Sequence, residues 1–264
     1  MTPHAQDPVQ VSIADGIGEI RFNRPEVLNA LDLDAAQRFS AAVDLVTSDM
    51  SVRVIVLSGE GRGFIAGGDL AYFRDTPDRS AAAEVLIDAM HGPVLRLSED
   101  PRPVLASLKG PVAGGGLGVA LAADLAIAAD DVRFSVAYLA IAASPDCSTS
   151  WNLVHLLGLR KAMELALLGD SVNGEEALRL GLVNRLVPRE RLEEETRALA
   201  LRVAAQSAPA MGRTKALLRD AVTRTLPQQL DAEKRAFAKG AATADFNEAI
   251  DAFFAKRKPQ FATG

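Results

Sequence analysis

Two glycine-rich stretches, and one carboxylate set among hydroxyls, hold the residues of this chain that could do chemistry. The first stretch is Gly59-Glu60-Gly61-Arg62-Gly63-Phe64-Ile65-Ala66-Gly67-Gly68-Asp69. The second is Lys109-Gly110-Pro111-Val112-Ala113-Gly114-Gly115-Gly116-Leu117-Gly118. Each follows an apolar run that reads as a strand. Gly61-x-Gly63-x-x-Ala66 fits a loose dinucleotide fingerprint, but that fold wants a long helix at the third small residue, and Gly67, Gly68 and Asp69 interrupt it. A glycine-rich turn after a buried strand fits those residues as well. Three consecutive glycines in the second stretch are costly unless a ligand or another backbone comes close. A helix starting there aims free N–H groups, and the positive end of its dipole, into the loop. Two such loops can set two backbone N–H donors around one oxygen, the layout that stabilises a carbonyl acquiring negative charge.

The carboxylate is Asp146, in Ser144-Pro145-Asp146-Cys147-Ser148-Thr149-Ser150-Trp151. It precedes a predicted helix whose dipole favours the ionised form, and by type alone it reads as an N-cap. Cys147 is a weak candidate nucleophile, because the adjacent carboxylate raises a thiol pKa. His91, beside Gly92-Pro93, reads as a surface or helix-end histidine, and His155, among leucines and valine, as packed against a partner helix. Asp124 fits a structural helix-to-strand junction.

The elements that must position these residues alternate. Val9 to Ala14 and Gly18 to Phe22 read as strands joined by an Asp15-Gly16 turn. Leu33 to Val46 reads as a helix capped by Asp32. Val52 to Leu57, Pro103 to Leu108 and Leu125 to Ala129 are further strands. Ala81 to Leu97 is a helix that Gly92-Pro93 should kink or split, and Leu117 to Ala123 is a short one. Such alternation predicts α/β layers. After Trp151 the pattern becomes helical, with short helices separated by Gly158 and Gly169 and a last strand near Val183 to Val187. From Arg189 onward only helices are predicted. Two regions follow, a core over 1–200 and a helical C-terminal region over 201–264.

The chain has 264 residues with 29 Lys plus Arg against 34 Asp plus Glu, a net charge of −5, and 48% hydrophobic residues. An acidic, apolar-rich chain is neither a disordered protein nor a typical nucleic-acid binder. A single cysteine permits neither an intrachain disulfide nor a multi-cysteine zinc site. The polar start, Met1 to Asp7, has no apolar signal core, and the longest apolar run, near Val119 to Ala129, is too short to span a bilayer. A cytoplasmic protein with no membrane or nucleic-acid partner is the expectation.

Four segments taken in order resemble one family: Asn23-Arg24-Pro25-Glu26-Val27-Leu28-Asn29-Ala30-Leu31, Phe64-Ile65-Ala66-Gly67-Gly68-Asp69-Leu70, Ala113-Gly114-Gly115-Gly116-Leu117-Gly118 and Phe253-Phe254-Ala255-Lys256-Arg257-Lys258-Pro259-Gln260-Phe261. They are similar to the enoyl-CoA hydratase/isomerase (crotonase) superfamily over about residues 9 to 261. The resemblance implies an α/β spiral of ββα units with a helical C-terminal trimerisation region, and a coenzyme A thioester as substrate with no tightly bound cofactor and no metal. It implies Gly68 and Gly115 as the oxyanion N–H donors. Arg24, Val27, Leu28, Ala66, Gly67, Asp69 and Leu70 would border the CoA. Self-association as a homotrimer or hexamer would bring Phe253 and Lys256 to a neighbour's site.

Within that resemblance the acid/base residues select the reaction. The two glutamates of hydratases fall at Gly118 and Tyr138, so both are missing. Glycine can move no proton and a tyrosine is a poor base. Asp146 matches the catalytic aspartate of phenylacetate-pathway and Δ3,Δ2-enoyl-CoA isomerases, although Ser148-Thr149 stand where those usually have glycines. An isomerase needs only one such base. Aryl-CoA dehalogenases are the alternative, with Asp146 as nucleophile and His91 activating water; there Tyr138 replaces an indole that orients the aspartate. A catalytically inert CoA-binding scaffold is the alternative of another class.

Overall fold

The structure is a computed structural model that describes residues 7–261, so most of the polar N-terminal stretch lies outside the described residues. Strands β1 (Val9–Ala14) and β2 (Ile17–Phe22) form the expected hairpin. Ala14 pairs with Ile17, and Asp15 and Gly16 both take positive φ, the two-residue turn that matches strand twist. Helix α1 (Leu33–Ser48) is capped as predicted, the Asp32 carboxylate accepting the Ala35 N–H at 2.9 Å. Strand β3 (Val54–Gly59) is buried along its whole length. A five-residue α2 (Leu70–Arg74) follows the first glycine loop. The long helix that a dinucleotide fold requires is absent there, which removes that reading.

Helix α3 (Arg79–Glu99) runs unbroken through Gly92-Pro93. The expected split does not occur because Met90, Pro93, Val94 and Leu97 are all buried on one face against α1. Packing of that face outweighs the hydrogen bond lost at Pro93. The chain then climbs through β4 (Val104–Leu108), β5 (Pro111–Ala113), α4 (Gly115–Leu121), β6 (Leu125–Ala129) and β7 (Arg133–Ser135). Helix α5 (Thr149–Leu168) is bent where Gly158 leaves helical geometry, as the two predicted short helices foreshadow. Next come β8 (Val172–Asn173), α6 (Gly174–Leu180) and β9 (Arg185–Val187). Helices α7 (Leu192–Ala204), α8 (Ala208–Asp220), α9 (Leu226–Ala241) and α10 (Ala244–Phe254) complete the chain.

Six strands form one sheet in the order β1-β2-β3-β4-β6-β9, parallel except for the β1–β2 hairpin. A second sheet, β5-β7-β8, has three short strands that the sequence pattern does not reveal. The main sheet packs against α1, which in turn packs on α3, and against α7. Residue 200 lies inside α7, whose Leu192, Leu199, Ala200 and Ala204 pack with Ile17, Val54, Val56, Leu105 and Ile127. Asp124 is structural as read: it accepts the Val104 N–H and pairs with Lys215 at 2.8 Å and Arg219 at 2.6 Å, fastening α8 to the core. Helices α9 and α10 are different, exposing Leu226, Leu230, Phe237, Ile250, Phe253 and Phe254. Among the described residues no helix is long and apolar enough to cross a membrane, and no group of His, Cys, Asp and Glu could hold a metal ion.

Candidate active site

Three loops at the carboxyl ends of β2, β3 and β4 are laced together by their backbones. Ala66 N–H donates to Leu28 O at 3.1 Å, Leu31 N–H to Gly67 O at 2.8 Å, and Asp69 N–H to Leu31 O at 2.8 Å. Ala113 N–H donates to Ile65 O at 2.9 Å. Asn29 locks the first two loops from inside, its amide donating to the carbonyls of Glu60, Gly63 and Phe64 and its Oδ1 accepting the Arg24 N–H. Sequence reading passes over Asn29, and only its burial distinguishes it from an ordinary turn asparagine. Arg24 ties the outer edge, bonding Asp69 at 3.0 Å, Asp32 at 2.9 Å and the Ala30 carbonyl.

The two glycine loops meet at Gly67 and Gly114. Both take positive φ, and a methyl group on Gly114 would lie 3.4 Å from the Gly67 Cα. Gly114 combines φ 51° with ψ −128°, a region reserved for glycine, and so turns the chain from β5 into α4. Among the described residues, neither the Gly68 nor the Gly115 N–H has a hydrogen-bond acceptor. Every neighbouring loop bond passes them by: Gly67 gives its carbonyl and Asp69 its N–H to Leu31, leaving Gly68 between them unused. Gly115 is the first residue of α4, where N–H groups are unpaired by construction.

Asp146 stands next to this point. A methyl group built on Gly115 would lie 3.6 Å from Asp146 Oδ1, 3.4 Å from Cys147 Sγ and 3.7 Å from Leu31 Cδ1. The side chain is not the helix cap. Ser148 holds that position, and the Asp146 main-chain carbonyl accepts the Thr149 N–H at 2.8 Å. The carboxylate turns instead to Tyr138, whose hydroxyl donates to Oδ1. His91 joins the cluster from α3, its Nε2 accepting the Cys147 N–H at 3.2 Å. That bond steadies a segment in which Cys147 and Ser148 both have positive φ. Burial first, and the Asp146 charge second, push the Cys147 thiol far above its usual range, so it stays protonated and is no nucleophile.

Gly118 is fixed by contact rather than by conformation. A β-carbon there would run into the Cys147 carbonyl and come within 2.6 Å of Thr149 Oγ1. The segment 147–149 thus occupies the space into which a side chain at position 118 would project.

The structure therefore brings Gly68, Gly115, Asp146 and His91 together, with Val27, Leu28, Ala66, Gly67, Asp69 and Leu70 along one partly exposed rim. Phe253 and Lys256 lie apart, at the end of α10; Phe253 is 76% exposed and its ring packs edge-on against Phe254. His155 is stacked on Trp151 of its own helix, its ring centroid 3.8 Å away.

The sequence profile described as enoyl-CoA hydratase/isomerase matches residues 12–264. The chain belongs to the enoyl-CoA hydratase/isomerase family. A 1,2-epoxyphenylacetyl-CoA isomerase of Escherichia coli K12 is 34% identical over 251 residues, covering 94% of this chain and 96% of the relative. A trans-2-decenoyl-acyl-carrier-protein isomerase of Streptococcus mutans is 28% identical over 252 residues, covering 95% and 96%. The crystal structure of an enoyl-CoA hydratase from Polaromonas sp. JS666 superposes with a TM-score of 0.90 at 29% identity, covering 96% of this chain and 99% of that one. The α/β crotonase fold with a helical C-terminal region, expected from the four segments, is the fold observed. The protein is thus an acyl-CoA enzyme of this family, and its relatives carry both hydratase and isomerase names.

Proposed function

We propose that this enoyl-CoA hydratase/isomerase family member moves the double bond of an enoyl-CoA, converting a 3-enoyl to a 2-enoyl thioester. The observation that carries the reading is the Asp146 carboxylate beside Gly115, whose N–H has no acceptor among the described residues; Gly118 and Tyr138 stand at the two positions where the family resemblance places the hydratase glutamates. Asp146 breaks the C2–H bond and takes the proton. The electron pair delocalises over the thioester carbonyl and the C3=C4 bond, and the N–H groups of Gly68 and Gly115 hold the enolate oxygen. The same carboxylate returns the proton to C4, leaving the double bond between C2 and C3. Hydration needs a second acid/base group, and Tyr138 does not supply one. Burial, and then the Asp146 charge, hold its phenol well above the ordinary range.

The test is a three-substrate comparison. 3-Enoyl-CoA is expected to be isomerised, 2-enoyl-CoA to be hydrated far more slowly, and 4-chlorobenzoyl-CoA to release no chloride. Hydration outrunning the double-bond shift would sink the proposal. CoA binding with no exchange at C2 would favour a binding protein instead.

The rim formed by Arg24 to Leu28 and Ala66 to Leu70 is the proposed CoA border. The apolar residues exposed on α9 and α10 are the proposed assembly surface, with Phe253 and Lys256 reaching a neighbour's CoA. Truncation before Phe253 is expected to shift light-scattering mass downward and to weaken CoA binding. A full-length monomer that binds CoA normally would contradict both assignments.

A further inference from the structure

We propose that Tyr138 is a positioning residue for Asp146, holding one carboxylate oxygen so that the other alone carries the proton between C2 and C4. The inference rests on the isomerase reading above. Tyr138 is 7% exposed and begins a short 3-10 turn, Tyr138–Ile141, bounded by Ala137 and Ala142, both in the left-handed region. Its backbone is pinned on both sides, the N–H to Val136 O at 2.8 Å and the carbonyl accepting from Ala143 at 3.0 Å. The ring is thus fixed before any substrate binds.

The hydrogen bonds around the phenol run in one direction. Because burial and the neighbouring charge keep the hydroxyl protonated, its single proton goes to Asp146 Oδ1. Its oxygen is then left to accept from the buried Thr149 hydroxyl, 3.3 Å away. Thr149, Tyr138 and Asp146 form a donor chain ending on the carboxylate. A carboxylate with both oxygens unheld can rotate and present either one, losing the abstracted proton to solvent between the two half-reactions. With Oδ1 held by the phenol, rotation is restrained and the abstracted proton is carried by the other oxygen, Oδ2. Loss of the second glutamate position is therefore not a simple deletion, because the residue there acts on the carboxylate that remains.

The experiment uses a 3-enoyl-CoA deuterated at C2, turned over in ordinary water, with the deuterium at C4 of the product read by mass spectrometry. Wild type is expected to retain a measurable share of the label at C4. Tyr138→Phe is expected to lose most of that retention, with kcat down about tenfold, the scale of one hydrogen bond to a charged group. KM should stay within about twofold, because the lost contact is not to substrate. Thr149→Val keeps the phenol but removes its donor, and should move retention the same way by less. That variant also reads the chain if Tyr138→Phe fails to fold. Unchanged retention and kcat in folded Tyr138→Phe would overturn the inference, as would wild type that retains no label. Failure of the isomerase reading looks different, since wild type would then convert no 3-enoyl-CoA at all.

Discussion

Asp146→Asn is expected to abolish both hydrogen exchange at C2 and isomerisation of 3-enoyl-CoA. The amide has nearly the shape of the carboxylate, and its oxygen can still accept from Tyr138, so the loop and α5 should keep their places. What it cannot do is take a proton. Removing a positioned general base costs about 10²–10⁴ in rate. Because one carboxylate is proposed to serve both half-reactions, exchange and isomerisation should fall together. His91→Gln is expected to lie within about tenfold of wild type, a loss of about 1.4 kcal/mol. His91 meets the site through its bond to the Cys147 N–H, which a glutamine can also accept, and no water has to be activated. The dehalogenase alternative predicts the reverse pattern. There, His91→Gln mixed with 4-chlorobenzoyl-CoA would accumulate an aryl ester on Asp146, visible by mass spectrometry. No such adduct is expected. Either that adduct or full isomerase activity in Asp146→Asn would show that the wrong chemistry has been assigned.

What was legible in the sequence followed from local signals. The hairpin at Asp15-Gly16, the Asp32 cap and the break at Gly158 each depend on a few neighbouring residues, and each appears where expected. The second sheet was not legible, because strands of two or three residues carry too little pattern to show a period. That α3 is not split was not legible for the opposite reason, since its continuity is decided by burial against α1, far away in sequence. At the site, glycine spacing and one aspartate offer Gly68, Gly115 and Asp146 as candidates through the family resemblance, and the fold sets the two glycine loops and Asp146 side by side. The bond from Tyr138 to Asp146 crosses eight residues and a 3-10 turn, so no motif announces it. Nor does sequence show why position 118 is glycine, a matter of contact with the Cys147 carbonyl from the next loop.

Gly115 offers a second test, of the oxyanion donors and not of the base. Gly115→Pro removes the N–H and should lower kcat about 10²–10³-fold if that group holds the enolate oxygen. Proline is well suited to the first position of a helix, where the N–H makes no internal bond. The fold therefore has reason to survive, and circular dichroism would check it. Gly115→Ala separates the lost donor from the added bulk. Its β-carbon would meet Cys147 Sγ at 3.4 Å and Asp146 Oδ1 at 3.6 Å, ordinary contact distances, and it keeps the N–H. The alanine variant is expected to stay within about tenfold of wild type, because the donor geometry is preserved. A proline variant that folds and turns over as well as the alanine variant would remove Gly115 from the oxyanion site. Equal, severe losses in both would point to crowding at Asp146 rather than to the missing donor. Only a large gap between the two isolates the hydrogen bond to the enolate, and with it the proposal that catalysis here is divided between backbone donors on two glycine loops and a single carboxylate.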